Sequence, residues 1–361
     1  MVLVRTLLAL AVCGMAAVGC SHDAPSGLPA ATRIATLDDV NSSERGYVDA
    51  LALSPDAGFV ATGERGGQIR VWATGGELTP VSLGDYRQAV TDLAFSPGGR
   101  VLASLGRHVE GALRLWRFDD RTWVEAASLP MGRCLALRFD GPGARLAVLC
   151  ESEVLIVDVA SVQEVSRVPN PHREVLTAFD LSADGRRLVT AGHDGEVTVR
   201  DAVTATPVRS FSVKQSRRPG PLPRGLEPPE VWAVVVALSG DGTRAAAVTI
   251  EGTVYVWDVA TGKKLFDHAD GEAGGPPSGS LRFGRDGGLI APLGDRFGMR
   301  RIDVSSKASQ IVVSAPKAYG AVAISDDATA FAAVTSSVNG GRLSYAVEVW
   351  RMTAATKLAR D

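Results

Sequence analysis

The stretch that decides the fold is residues 90–116, which read VTDLAFSPGGRVLASLGRHVEGALRLW. Its apolar runs predict three short strands, at residues 90–95, 101–105 and 112–116. A turn at residues 96–99 separates the first two, because proline presets φ and glycine accepts a positive φ. The stretch therefore predicts a small antiparallel sheet whose third strand ends on a tryptophan.

The same unit occurs seven times along the chain. The copies span residues 47–72, 90–116, 133–158, 176–201, 232–258, 280–303 and 319–350. Their third strands reach Trp72, Trp116, Val157, Arg200, Trp257, Ile302 and Trp350. Most intervals between these positions lie near the period of a four-stranded propeller blade, roughly 40–45 residues. One interval is longer, because an insertion at residues 214–230 lies within it.

A fourth strand follows the third in each copy, for example at residues 208–211 and 264–266. The first and second strands are apolar on both faces, as at residues 233–238 and 244–250. A sheet packed between two neighbouring sheets has this pattern, because both of its faces are buried. The predicted fold is all-β: a seven-bladed β-propeller of four-stranded antiparallel blades.

A propeller of this kind has to close its ring, since an open ring exposes a sheet edge. A lone strand at residues 33–37 precedes the first copy. We expect it to supply the fourth strand of the last blade, beside residues 346–351. The alternative is that residues 357–360 fill that place.

Four dipeptides at the ends of third strands carry a family resemblance: Val71-Trp72, Leu115-Trp116, Trp257-Asp258 and Val349-Trp350. Together with the turns at residues 54–56 and 182–185, they resemble the WD-repeat (WD40) family of β-propellers over roughly residues 32–351. In that family a His, a Ser or Thr, an Asp and the Trp form a hydrogen-bonded network within a blade. For the fourth copy the resemblance implies His172, Thr190 and Asp194, with Arg200 at the tryptophan position.

The first twenty residues have a different character. Arg5 precedes an apolar run at residues 6–18, which is the pattern of a secretory signal. The run ends in Ala17-Val18-Gly19-Cys20, which resembles the bacterial lipobox. That resemblance implies that Cys20 is lipidated and becomes the mature N-terminus. The alternative is an ordinary secreted protein in which Cys20 is incidental.

These observations divide the chain into three parts. Residues 1–19 are predicted to be a lipoprotein signal peptide, residues 20–31 a flexible tether, and residues 32–361 a single propeller domain. We therefore expect a protein of the cell envelope, lipid-anchored on the extracytoplasmic side of a membrane and facing the periplasm or the cell surface.

Cys134 and Cys150 lie on the first and second strands of the third copy, at equal distances from Pro142. A regular hairpin register therefore places them opposite each other. Export makes oxidation possible. A disulfide and a pair of buried free thiols both remain open.

The sequence carries no signal for catalysis or for a cofactor. The net charge of −2 gives no attraction to nucleic acid or anionic lipid. No nucleophile or phosphate-loop motif occurs, and the five histidines lack metal-ligand spacing. The Asp-Gly turns at residues 184–185, 241–242 and 286–287 are interpreted as turn chemistry, because each supplies one carboxylate where calcium needs six or more oxygens.

The insertion at residues 214–230 is rich in proline and joins the fourth copy to the fifth. Its cations, and an aromatic residue at its base, make it a candidate partner-binding loop: Lys214, Arg217, Arg218, Arg224 and Trp232. The alternative is a tolerated insertion without a binding role.

The preferred function is a non-enzymatic protein–protein interaction scaffold for unidentified envelope proteins, without a cofactor or a metal. The alternative is a small-ligand binder or enzyme that uses the central channel. Such a site needs polar side chains on the innermost strands, where the candidates are Asp49, Asp92 and Asp180. A third possibility is a purely structural role.

Overall fold

The protein is described by a computed structural model. The described residues are 31–38, 47–75, 79–86, 88–107, 112–213, 233–268, 281–292, 298–314, 318–325, 328–339 and 342–352. They form seven four-stranded antiparallel sheets, which confirms the predicted seven-bladed β-propeller. Among these residues there is no helix with the length and apolar character that a membrane span requires.

The strands follow one another within each blade from the central channel outwards. Blade 1 contains β2 (Val48–Leu53), β3 (Phe59–Glu64), β4 (Gln68–Ala73) and β5 (Val81–Asp85). Blade 2 contains β6 (Val90–Phe95), β7 (Val101–Gly106), β8 (Ala112–Phe118) and β9 (Trp123–Pro130). Blade 3 contains β10 (Cys134–Phe139), β11 (Arg145–Cys150), β12 (Glu153–Asp158) and β13 (Gln163–Pro169). Blade 4 contains β14 (Leu176–Leu181), β15 (Arg187–Gly192), β16 (Glu196–Asp201) and β17 (Pro207–Ser212).

The remaining three blades repeat this order, except that the last one takes a strand from the other end of the chain. Blade 5 contains β18 (Ala233–Leu238), β19 (Arg244–Thr249), β20 (Val254–Asp258) and β21 (Lys264–His268). Blade 6 contains β22 (Arg282–Phe283), β23 (Leu289–Pro292), β24 (Gly298–Asp303) and β25 (Ala308–Ser314). Blade 7 contains β26 (Ala318–Ile324), β27 (Ala330–Asn339), β28 (Arg342–Met352) and β1 (Ala31–Asp38).

The hydrophobic core is divided into clusters that lie between adjacent blades. Between blades 3 and 4, for example, Leu149 and Ile156 pack against Phe179 and Leu188. The second strands are buried almost from end to end, as predicted from their apolar faces. Removal of apolar surface from water is the main favourable term in folding, so most of the stabilisation lies between blades and little lies within a single blade.

The Asp of the Trp-Asp position caps the turn between the third and fourth strands. Asp201 accepts hydrogen bonds from the backbone N–H groups of Thr204 (2.8 Å) and Val203 (2.9 Å). These donors favour the charged carboxylate and hold the pKa of Asp201 below its usual value. The same cap recurs at Asp158, Asp258 and Asp303. In blade 2, where Arg117 follows Trp116, Asp119 caps the corresponding turn.

Strand β1 closes the ring, as predicted. It pairs antiparallel with β28, and Leu37 lies opposite Val347. The Leu37 side chain is fully buried in the cluster between blade 7 and blade 1, where Val60 also lies. The place beside β28 is therefore filled by the N-terminal strand, and the alternative segment, residues 357–360, lies outside the described residues.

We expect Leu37→Ala to lower the free energy of unfolding by about 2–5 kcal/mol, because it leaves a cavity at the closure of the ring. Ile34→Ala on the same strand is the control: its side chain is exposed, and the expected change is within about 0.5 kcal/mol. Urea unfolding followed by tryptophan fluorescence measures both. Equal stabilities of Leu37→Ala and the wild type would contradict the closure by β1.

Candidate functional site

The propeller has two different faces. The loop face carries the connections between blades, and the turn face carries the turns between first and second strands, such as the turn at residues 54–58. The central channel opens into a cavity of about 870 Å³ at the loop face and one of about 1690 Å³ at the turn face. Arg138, Phe139 and Arg282 line both cavities and so lie between them.

The first strands have equivalent positions two residues before the following turn. These positions are Ala52, Ala94, Arg138, Asp180, Ala237, Arg282 and Ala323. All of them except Ala237, which is fully buried in the core between blades 5 and 6, line one of the two cavities. At this level of the channel, three blades present a methyl group and three present a charged group.

The three charged residues contact one another; we name Arg138, Asp180 and Arg282 the channel triad. Arg138 Nε lies 2.8 Å from Asp180 Oδ1, and Arg282 Nη1 lies 3.4 Å from the same oxygen. The backbone N–H of Leu238 donates to Asp180 Oδ2 at 2.9 Å. The side chains of Asp180 and Arg282 are 5% and 10% exposed, and that of Arg138 is 23% exposed. The channel triad is thus a buried ion cluster that joins blades 3, 4 and 6.

Asp92 makes the same kind of backbone contact at a different level. Its Oδ2 accepts the N–H of Leu137 from the next blade at 2.8 Å. First strands have one edge without a strand neighbour, so their N–H groups along that edge need other acceptors. Asp92 and Asp180 supply two of these acceptors. Of the three predicted channel residues, the third, Asp49, lies at the loop-face mouth.

Sequence reasoning missed Arg138 and Arg282. Arg138 in LALRF and Arg282 in GSLRF occupy the position that Asp180 has in TAFDL. A charged residue two positions before the turn was therefore the available signal. Aligning the seven copies on their turns, residue by residue, would have placed all three charges at one level.

A second group of polar and aromatic side chains lies at the loop-face mouth of the channel; we name Tyr47, Asp49, Arg65 and Tyr345 the mouth patch. Arg65 donates two hydrogen bonds to Asp49, at 3.0 and 2.9 Å. The guanidinium carbon lies 5.1 Å from the centroid of the Tyr47 ring. Tyr345 contacts Tyr47 edge to face, with centroids 5.8 Å apart. The exposed Tyr47 ring is thus held from two sides.

The blade network implied by the family resemblance forms in blade 4 without its tryptophan. His172 Nδ1 lies 3.1 Å from Asp194 Oδ1, and His172 Nε2 lies 2.9 Å from Thr190 Oγ1. Arg200 instead donates to the carbonyl oxygen of Ala205. His172 and Thr190 are buried, so the network fixes the loop before β14 to its own blade.

Blade 2 builds a related network with a tyrosine in place of the histidine. Tyr86 Oη lies 2.8 Å from Ser104 Oγ, and Trp116 Nε1 donates to the same oxygen at 2.9 Å. The spacing from Tyr86 to Ser104 equals that from His172 to Thr190. Burial raises the pKa of Tyr86 to about 12, so the hydroxyl stays protonated. Each network ties the segment before a first strand to its own blade.

The Asp-Gly turns use their carboxylates locally. Ser182 Oγ and Ser239 Oγ donate to Asp184 Oδ1 and Asp241 Oδ1, both at 2.6 Å. These contacts fit the interpretation as turn chemistry. In the part of the chain that the structure describes, no group of three or more His, Cys, Asp or Glu side chains is arranged to hold a metal ion.

Cys134 and Cys150 are direct register partners on β10 and β11, and a disulfide joins them. The rest of this hairpin is shifted by one residue, and a bulge between Cys134 and Ala136 brings the two cysteines opposite each other. Both side chains are buried. The bond therefore connects the first two strands of blade 3 at the loop face.

Several predicted site residues lie outside the described residues: Cys20, Lys214, Arg217, Arg218, Arg224 and Trp232. The described residues that flank the insertion are Val213 and Ala233, after β17 and at the start of β18. Both lie at the loop-face end of their strands, which is the end that carries the mouth patch.

Comparison with known protein families gives two matches, both to the WD domain, G-beta repeat, at residues 35–73 and 163–201. The first match runs from β1 to β4 and the second from β13 to β16. Each begins on the outer strand of one blade and ends on the third strand of the next. Together with the seven-bladed fold, these matches support a WD-repeat β-propeller.

Curated proteins with related sequences match parts of this chain. Transducin beta-like protein 3 from Bos taurus is 25% identical over 245 residues, which cover 67% of this chain and 30% of that protein. WD repeat-containing protein 90 from Mus musculus is 26% identical over 190 residues, 47% of this chain and 9% of that protein. Autophagy-related protein 18 from Meyerozyma guilliermondii is 31% identical over 113 residues, 31% of this chain and 18% of that protein. The chain thus matches less than a third of the length of each relative.

Because a disulfide joins Cys134 and Cys150, peptide mapping without reductant should give one mass that contains both cysteine peptides. Reduction should separate them and lower the free energy of unfolding by about 3 kcal/mol, because it releases a loop of this length. Cys134→Ser is the control, and reductant should leave its stability unchanged. Recovery of both cysteines as separately alkylated peptides before reduction would show free thiols.

Proposed function

We propose that this protein is a non-enzymatic scaffold that binds protein partners at the loop face of its propeller, and that lipid at Cys20 holds it on the extracytoplasmic side of a membrane. WD-repeat propellers are typically protein-interaction scaffolds, and a closed ring of packed blades offers a rigid surface. The observation that carries the proposal is the mouth patch.

The mouth patch has the composition of an interface hot spot. Tyrosine and arginine are enriched among residues whose truncation costs most binding energy. Tyr47 is 48% exposed, yet Arg65 and Tyr345 fix its position before any partner arrives. Binding then loses little side-chain freedom at this point, and such preorganisation improves affinity.

The insertion at residues 214–230 is proposed as a second contact region. The described residues that flank it, Val213 and Ala233, lie at the same face as the mouth patch. Its cations suit a partner with acidic groups facing this side of the ring. The two regions lie on different blades, so a partner that contacts both has to span part of the loop face.

A photo-crosslinking amino acid at position 47 in intact cells tests the scaffold. We expect it to yield a defined protein adduct, and the same probe at Val124, an exposed position on the outer strand β9, to yield none. Tyr47→Ala should weaken binding of the captured partner by about tenfold or more, as for a hot-spot residue. Val124→Ala is the matched control.

Two further results would decide the outcome. Shortening of residues 214–230 should weaken the same interaction if the insertion takes part. Full partner binding by folded Tyr47→Ala and by the shortened variant would contradict the loop-face proposal, and the melting temperature of each variant checks that it is folded.

The lipid anchor is tested by Cys20→Ala. Two or more acyl chains hold a protein firmly on a membrane, whereas one chain is marginal. We expect the wild type in the membrane fraction and Cys20→Ala in the soluble extracytoplasmic fraction. Cys13→Ala, a change within the apolar run, is the control and should stay with the membrane. Membrane-bound Cys20→Ala would refute lipidation at this residue as the anchor.

A further inference from the structure

We infer that the ring lies with its turn face towards the membrane and its loop face away from it, so that the mouth patch meets a protein domain in the aqueous space. The orientation rests on the lipid anchor at Cys20 and on the loop-face interaction proposed above. It adds the arrangement of the two faces relative to the lipid, and it follows from the place where β1 enters the ring.

Strand β1 begins at the turn face. Its first residue, Ala31, is the register partner of Met352 at the end of β28. The backbone N–H of Met352 donates to the carbonyl oxygen of Thr329 at 2.7 Å, and the neighbouring Arg351 donates through Nη2 to the carbonyl oxygen of Asp56 at 3.2 Å. Both acceptors belong to turns between first and second strands, in blades 7 and 1. A chain that leads into β1 therefore reaches the ring at the turn face.

The length of chain between the anchor and β1 limits how far the ring can turn. The sequence predicts a flexible tether before Ala31, and residues 20–30 separate this residue from the lipid. A flexible chain of that length has an end-to-end distance of about 18 Å. Strand β1, with eight residues, extends over about 26 Å from the turn face to the loop face. The typical span of the tether is therefore shorter than the strand beside which it would have to run.

The opposite orientation requires a stretched tether. To bring the loop face to the lipid, residues 20–30 would have to run along the outside of blade 7 for the whole length of β1. This path uses about 26 Å of a chain that reaches at most about 40 Å. A flexible chain that is held in this way loses conformational freedom. A turn face that is directed to the membrane needs no such extension.

The orientation defines the kind of partner that the mouth patch meets. The cavity of about 870 Å³ at the loop face opens away from the membrane, and the cavity of about 1690 Å³ opens towards it. Tyr47 and Arg65 then stand off the lipid surface by the height of the ring, about 20 Å. Their partner is therefore a soluble protein or an aqueous domain, and not a segment embedded in the anchoring membrane.

Four exposed glycines provide matched positions for a fluorescent label. Gly75 and Gly98 lie in turns at the turn face, whereas Gly66 and Gly132 lie in connections at the loop face. A Cβ added at any of the four meets no atom within 4 Å, so a single cysteine at each position should leave the fold intact. The two cysteines of blade 3 are joined by a disulfide and take no label without reductant.

The lipidated variants Gly75→Cys, Gly98→Cys, Gly66→Cys and Gly132→Cys are labelled and reconstituted into phosphatidylcholine vesicles that carry a nitroxide quencher on their headgroups. Because the two faces are about 20 Å apart, we expect quenching of the turn-face labels to exceed that of the loop-face labels about twofold or more. An insertion of about twenty Gly and Ser residues before Ala31 should reduce the difference, since a longer flexible chain spans a greater distance.

Flotation of the vesicles separates failure of the orientation from failure of the anchor. Equal quenching at the two faces, or stronger quenching at the loop face, in protein that floats with the vesicles would overturn the orientation and leave the anchor standing. A wild type without lipid that stays out of the floating fraction would refute the anchor at Cys20, and the orientation with it. The melting temperature of each labelled variant checks that it is folded.

Discussion

Burial of both faces of every blade against its neighbours is the constraint on which the structure depends. A blade alone would expose two apolar faces, so each blade is stable only between two others. The ring satisfies this condition for the terminal blades as well, because β1 from the start of the chain completes blade 7. The cluster that contains Leu37 and Val60 is therefore equivalent to the clusters between blades that follow each other in sequence.

The same constraint decides where functional groups can lie. Side chains between blades are committed to packing, and the networks around His172 and Tyr86 are buried within single blades. Functional groups can therefore lie in the channel, on the two faces of the ring or on the outer strands. The channel triad lies in the channel, and the mouth patch lies at the loop face. In each of them an ion pair with an aspartate fixes an arginine that is also partly exposed: Arg138 in the channel triad and Arg65 in the mouth patch.

Local sequence signals were sufficient for the strands and for the ring closure, because each depends on short-range periodicity or on the repeat, whereas they left open whether Cys134 and Cys150 are bridged. The bulge before Ala136 was not predictable, although it decides the pairing of the cysteines. The mouth patch was missed for a different reason. Tyr47 and Tyr345 meet only because the ring closes, and no pattern in either segment indicates the other.

The channel triad could be predicted from the sequence only in part. Each of its residues occupies a recognisable position in its own repeat, but the contact of Arg282 with Asp180 crosses 102 residues and depends on the diameter of the channel. A repeat fixes the level at which a side chain lies. It does not fix which charges meet across the ring, because that depends on the number of blades and on the size of the residues between them.

The pairing of β1 with β28 also has a consequence for synthesis. Arg33 and Glu348, which form an ion pair across these strands, are 315 residues apart. Strand β1 thus pairs with a segment that is synthesised much later, and contacts of such long separation form slowly. Until then blade 7 presents an open strand edge. A second copy of the chain offers an identical β1 to that edge, so refolding at high protein concentration should give exchanged dimers in competition with closed monomers.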